Sequence, residues 1–135
     1  MVKKLSIIVP VYNEEKTIGL VLEKLNKNKI ENIDFEIIVI NDGSYDNTQK
    51  ILDEKKALYT KLITNPKNFG KGYSVKKGIE HSTGEFVIFQ DADLEYDPIE
   101  FKKFIKIFNE FNADGIIGSR FIYSEYTRSH NYFHK

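Results

Sequence analysis

Apolar positions fall in two rhythms along this chain. Short continuous apolar runs alternate with stretches where apolar residues recur at helical spacing. Leu5-Ser6-Ile7-Ile8-Val9 is a β-rich run ended by Pro10. Asn13 is a candidate helix cap, and Ile18, Val21, Leu22 and Leu25 follow at i, i+3, i+4, i+7. A second strand is predicted over 35–40, centred on Ile37-Ile38-Val39-Ile40. Asn41-Asp42-Gly43-Ser44 is a turn, and a helix follows through Ile51 and Leu52. A third strand is predicted over 59–64, then a loop, Asn65-Pro66-Lys67-Asn68. A helix over 70–79 carries small residues on one side. The fourth strand covers 85–89, and Asp97-Pro98-Ile99-Glu100 starts a helix with a capping Asp and Pro at the first helical position. Phe101, Phe104, Ile105 and Phe108 form its buried stripe. Gly115-Ile116-Ile117-Gly118 is a last short strand.

Strands alternating with helices predict an α/β fold with a mostly parallel sheet and right-handed crossovers. Continuous strand hydrophobicity predicts that helices cover both faces. The stretch 120–135 is different. It holds Phe121, Tyr123, Tyr126, Tyr132 and Phe133 without helical or strand period. The division expected is a core over 1–119 and an aromatic tail over 120–135.

The 135 residues suit one domain, and 41% hydrophobic residues supply a core. Twenty basic and twenty acidic residues cancel, which argues against nucleic acid as a partner. Cysteine is absent, so thiol chemistry and disulfides are too. No apolar stretch nears the ~18 residues of a membrane span. The expectation is a soluble, cytoplasmic protein, with peripheral contact at the cytoplasmic membrane face still open.

The fourth strand ends in Gln90-Asp91-Ala92-Asp93. Open α/β sheets bind ligands outside the carboxyl ends of their strands. Carboxylates there suit Mg²⁺ or Mn²⁺ shared with a ligand's phosphates. Tyr12, Asn13 and Glu14 follow the first strand, and Asp42 the second; in a parallel sheet these groups converge on one edge. Asn68-Phe69-Gly70-Lys71-Gly72 opens a helix with a lysine, an arrangement suited to phosphate. Gly118-Ser119-Arg120 is expected to end the fifth strand on the same edge, where the Arg120 fork can pair with phosphate. Each piece also has a bland explanation: Asn13 a cap, Asp42 a turn residue, Lys71 a solvated side chain. His81, His130 and His134 have no ligand spacing.

Pro10-Val11-Tyr12-Asn13-Glu14, Asn41-Asp42-Gly43-Ser44, Asn68-Phe69-Gly70-Lys71-Gly72, Asp91-Ala92-Asp93-Leu94 and Gly118-Ser119-Arg120 occur in an order that resembles family 2 glycosyltransferases. Asp93-Leu94-Glu95-Tyr96-Asp97-Pro98 looks most like the branch of dolichyl-phosphate mannose synthase and polyprenyl-phosphate glycosyltransferases. The resemblance implies a GT-A fold, a nucleotide-sugar donor, a divalent metal and inversion at the anomeric carbon. It implies that Pro10, Tyr12, Glu14, Ile40 and Asp42 line the base and ribose pocket. Asp91, Ala92 and Asp93 would meet ribose and diphosphate. Asp93 and Glu95, with Asp91, would hold Mg²⁺ or Mn²⁺. Asp93 and Arg120 would be the catalytic residues, Arg120 facing the phosphates of donor or acceptor. Glu95 stands where some close relatives carry Gln. Family catalytic domains continue past Gly-Ser-Arg, so the acceptor half is expected to be missing here.

Two functions fit these residues. One is transfer of a sugar from a GDP- or UDP-sugar to an acceptor, a polyprenyl or dolichyl phosphate foremost and a glycan otherwise. The other is a non-catalytic nucleotide-sugar-binding fragment that works as a homo-oligomer.

Overall fold

A computed structural model describes residues 1–111, 114–118 and 130–133. Four strands, β1 (Lys4–Val11), β2 (Asp34–Asn41), β3 (Lys61–Thr64) and β4 (Phe86–Phe89), form one parallel sheet in the order β3-β2-β1-β4. Helices α1 (Ile18–Lys27), α2 (Thr48–Glu54) and α3 (Lys71–Glu80) make the crossovers. A 3₁₀ turn (Pro98–Glu100) leads into α4 (Phe101–Phe111). The Asp97 carboxylate accepts the Ile99 N–H at 3.1 Å, as its cap position predicts.

The sheet is covered on both faces, and the strands alternate between two cores. Leu5, Ile7, Val9, Ile37 and Val39 pack with Ile18, Leu22 and Leu25 of α1, Leu52 of α2 and the four-residue stripe of α4. Ile8, Ile38, Ile40 and Val87 face the other way, toward Ile79 of α3. That second layer is thin because α3 lies close to the sheet. A Cβ on Gly78 would stand 2.5 Å from Ile8 and 2.9 Å from Ile40. This is the reason for a glycine at position 78.

One buried charge braces the end of the sheet away from the strands' carboxyl termini. Ser6 and Glu36 are partners across β1 and β2. The Glu36 carboxylate accepts the Ser6 hydroxyl at 2.5 Å and the Thr83 N–H and hydroxyl, each at 2.7 Å. Lys4 stands 3.5 Å away. Burial opposes the charge on Glu36, but the hydrogen bonds from Ser6 and Thr83, with Lys4 beside them, outweigh it and lower its pKa to about 2.

Three expectations change. Asn13 does not cap α1. It adopts a left-handed backbone (φ 52°), and the helix begins at Ile18 after Thr17. The third strand starts at Lys61 rather than 59. The fifth strand, β5 (Gly115–Gly118), does not extend the parallel sheet. It pairs antiparallel with β6 (His130–Phe133), a strand within the stretch read as having no period. Four-residue strands carry too little pattern to reveal a partner, and an antiparallel pair needs only a return of the chain. Among the described residues no helix is long and apolar enough to cross a membrane.

Candidate functional site

The chain runs outward from β1 through β2 to β3, then returns to place β4 on the other side of β1. That reversal opens a crevice between the loops that leave β1 and β4, where ligands settle in open α/β sheets. A cleft of about 280 Å³ lies there. Pro10, Tyr12 and Glu14 line it from β1, Asp42 from β2, Lys71 from the start of α3, and Asp91, Ala92 and Asp93 from β4. Eight of the predicted residues therefore meet in one place. Val11, Asn68 and Ser74 complete the lining.

Two predicted residues do not line the cleft, and a third is not described. Ile40 is fully buried in the smaller core beneath the cleft. Glu95 is exposed and outside the lining. Arg120 lies outside the described residues.

The loops after β1 and β2 are stitched together. Asn13 donates its N–H to Ser44 Oγ at 3.0 Å, and its side-chain oxygen accepts the Tyr45 N–H at 2.9 Å. Glu14 N–H reaches Thr48 Oγ1 at 3.0 Å. Asp46 accepts the N–H of Glu15 at 3.2 Å and of Thr48 at 2.9 Å. Burial works against the charge of Asp46, yet the hydrogen bonds from Thr48 and Glu15 hold its pKa below the usual value. The result is a rigid rim carrying Tyr12, whose half-exposed ring meets Tyr45 edge-on at 6.1 Å.

Asp42 is a buried hub, only 3% exposed. Its Oδ1 accepts Asn65 Nδ2 at 2.8 Å and the Phe69 N–H at 3.0 Å, while Oδ2 accepts the Gly70 N–H at 2.9 Å. The carboxylate thus holds the loop that launches α3 and Lys71. Gly43 lets this loop approach: at φ 70° a Cβ would sit 2.4 Å from the Lys67 carbonyl carbon. Asn65 and Ser74, both buried, belong to this network. Sequence reasoning passed over them because a lone Asn in a loop and a Ser on a small helix face carry no signal of their own.

Gln90 is a further residue that the sequence did not mark. It is buried, and its amide donates to the carbonyls of Asp91 and Tyr96, each at 3.1 Å. This brace closes the loop that presents Asp91 and Asp93.

The expected three-carboxylate metal set is not assembled. Among the described residues no three Asp, Glu, His or Cys side chains gather to share an ion. Leu94 takes a left-handed backbone (φ 65°), and Asp93 Oδ1 accepts the Glu95 N–H at 3.0 Å. The turn so formed leaves Glu95 exposed and outside the cleft lining. The donors that remain still fit a hard cation: Mg²⁺ is commonly held by one or two carboxylates plus substrate phosphates and water. Asp91 and Asp93 supply two carboxylates in the cleft. Asp91 is meanwhile paired with the Lys71 ammonium.

Comparison with known proteins agrees with this geometry. The pattern described as "Glycosyl transferase family 2" matches residues 6–134. The dolichyl-phosphate beta-glucosyltransferase ALG5C of Trichomonas vaginalis is 41% identical, over 84% of this chain and 37% of its own length. The chain spans half or less of the curated relatives it matches. TarS (1–349) of S. aureus, solved with UDP-GlcNAc, superposes with a TM-score of 0.73 at 30% identity, over 83% of this chain and 33% of that one. The mannosyltransferase PcManGT of Pyrobaculum calidifontis, solved with GDP-Man and Mn²⁺, gives 0.71 at 22% identity, over 84% and 34%. The architecture is that of GT-A glycosyltransferases. The chain belongs to family 2 of the glycosyltransferases.

Proposed function

We propose that the cleft binds a nucleotide-diphosphate sugar, a GDP- or UDP-sugar, together with Mg²⁺ or Mn²⁺. The site then passes the sugar, with inversion, to a polyprenyl or dolichyl phosphate. The observation that carries this is the meeting of Tyr12, Asp42, Lys71, Asp91 and Asp93 in one cleft at the sheet's switch point. Tyr12 and the stitched rim form the base side. Lys71, Asp91 and Asp93 form the diphosphate side.

The charge of the cleft supports a metal. Among the described lining residues four carboxylates, those of Glu14, Asp42, Asp91 and Asp93, stand against the one ammonium of Lys71. A diphosphate is itself an anion and is repelled unless a cation accompanies it. When bound, the metal offsets the charge that builds on the leaving diphosphate. A phosphate acceptor is already anionic near neutral pH and needs no strong general base. None of the described lining residues is a histidine, which suits such an acceptor. The dolichyl-phosphate glucosyltransferase named above supports the acceptor class. We assign Arg120 to the phosphates of donor or acceptor.

Thermal unfolding with UDP, GDP and their sugar conjugates, with and without Mn²⁺, tests donor binding. A ligand at ~100 times its dissociation constant stabilises by about 2.7 kcal/mol. For a domain of this size that raises the midpoint by roughly 8–12 °C. A Mn²⁺-dependent shift that Asp93→Ala abolishes is expected. No shift with any nucleotide overturns donor binding. Transfer of labelled sugar to polyprenyl phosphate tests the acceptor separately.

A further inference from the structure

Lys71 and Asp91 come from different sides of the cleft, the first residue of α3 and the second residue after β4, and form an ion pair through Nζ and Oδ1. The lysine side chain is 63% exposed and the aspartate 27%. Asp42 is the other carboxylate near the start of α3, and its oxygens are occupied by three N–H donors. Lys71 is therefore the one cation among the described lining residues, and its partner is a carboxylate suited to hold a metal.

Two competitions follow. A divalent cation and Lys71 compete for the same oxygen of Asp91. A diphosphate and Asp91 compete for the same ammonium. We propose that Lys71 is an exchangeable internal counter-ion: it neutralises Asp91 before ligand arrives, then moves to the diphosphate as a divalent cation takes its place on Asp91. This rests on the donor-binding function proposed above. The exchange is physically undemanding, because an exposed lysine on a flexible four-carbon stem can swing without leaving water. Each ligand frees the group that the other needs. Cation and nucleotide diphosphate therefore bind with positive coupling, and each favours the other by the same factor.

The test titrates Mn²⁺ alone, and UDP or GDP at saturating Mn²⁺, into wild type, Lys71→Gln, Lys71→Arg and Lys76→Gln. Lys76 lies exposed on the same helix outside the cleft and controls for overall charge. In Lys71→Gln, Mn²⁺ alone is expected to bind about two- to fivefold tighter, the yield of breaking one exposed ion pair. The same variant is expected to bind Mn²⁺-loaded nucleotide diphosphate about tenfold weaker, the loss of one charge-assisted hydrogen bond. Lys71→Arg, which retains a cation, should lie closer to wild type than Lys71→Gln in both titrations, and Lys76→Gln should change neither. If Lys71→Gln leaves Mn²⁺ binding unchanged, or weakens both ligands, the exchange is overturned while donor binding stands. If wild type binds Mn²⁺ but no nucleotide diphosphate, both proposals fall together.

Discussion

Asn13 and Tyr45 belong to loops on adjacent strands, and one side chain fastens them: Asn13 Oδ1 accepts the Tyr45 N–H at 2.9 Å. The Asn13 backbone completes the tie by donating to Ser44 Oγ at 3.0 Å. Its φ of 52° is a region that Asn enters more readily than most residues. Asn13→Ala loses the bond and keeps the unfavourable backbone, so a loss of about 1–2 kcal/mol is expected in urea unfolding. Asn13→Gly relieves the backbone and should lose less. Both should weaken nucleotide binding, since Tyr12 is the adjacent residue. Equal stability of the two variants would show that the backbone conformation costs nothing.

Asp42 bears on stability and on the site at once. Asp42→Ala leaves the Phe69 N–H without its acceptor and takes one acceptor each from the Asn65 amide and the Gly70 N–H, which keep Ser74 Oγ at 3.5 Å and Asn68 Oδ1 at 3.0 Å. A loss of about 3 kcal/mol or more is expected in equilibrium unfolding. Asp42→Asn keeps one acceptor oxygen and should lose roughly half as much. Hydrogen exchange localised at residues 65–71 would separate loosening of this loop from global unfolding.

Gln90→Leu preserves bulk and removes two donors from buried surroundings. The loop holding Asp91 and Asp93 should then loosen. Mn²⁺-dependent nucleotide binding is expected to weaken about tenfold, against a stability loss of about 1–2 kcal/mol. Calorimetric titration beside urea unfolding reads the two effects. Unchanged binding would mean that the loop holds its shape without the brace.

Glu36 makes stability depend on pH. Its folded pKa, about 2, lies below the ordinary 4.5. The stabilisation is fully present above about pH 4.5 and is lost as pH falls toward 2. It is on the order of 3 kcal/mol. Glu36→Gln should be less stable at pH 7 and should flatten the acid limb in urea unfolding between those values. An acid limb identical to wild type would shift the effect to other carboxylates.

Much of this protein was legible in the order of its residues. Unbroken apolar runs too short for a helix suit strands covered on both faces, so the parallel α/β sheet follows from the run at Ile37 to Ile40 and its counterparts. The spacing of Phe101, Phe104, Ile105 and Phe108 marks one face of a helix, and the structure buries all four. Tyr12, Asp42, Lys71, Asp91 and Asp93 could be picked out because a parallel sheet sends every strand end to the same edge. The tertiary structure alone decided the rest. It put β1 between β2 and β4, which makes a crevice out of an edge. It left Glu95 outside the cleft lining, sank Ile40 into the core and paired β5 with β6 outside the main sheet. It also gave work to Asn65, Ser74 and Gln90, whose value lies in hydrogen bonds to groups that only folding brings near. Periodicity records which side of an element is buried; it holds no record of which distant donor will need an acceptor.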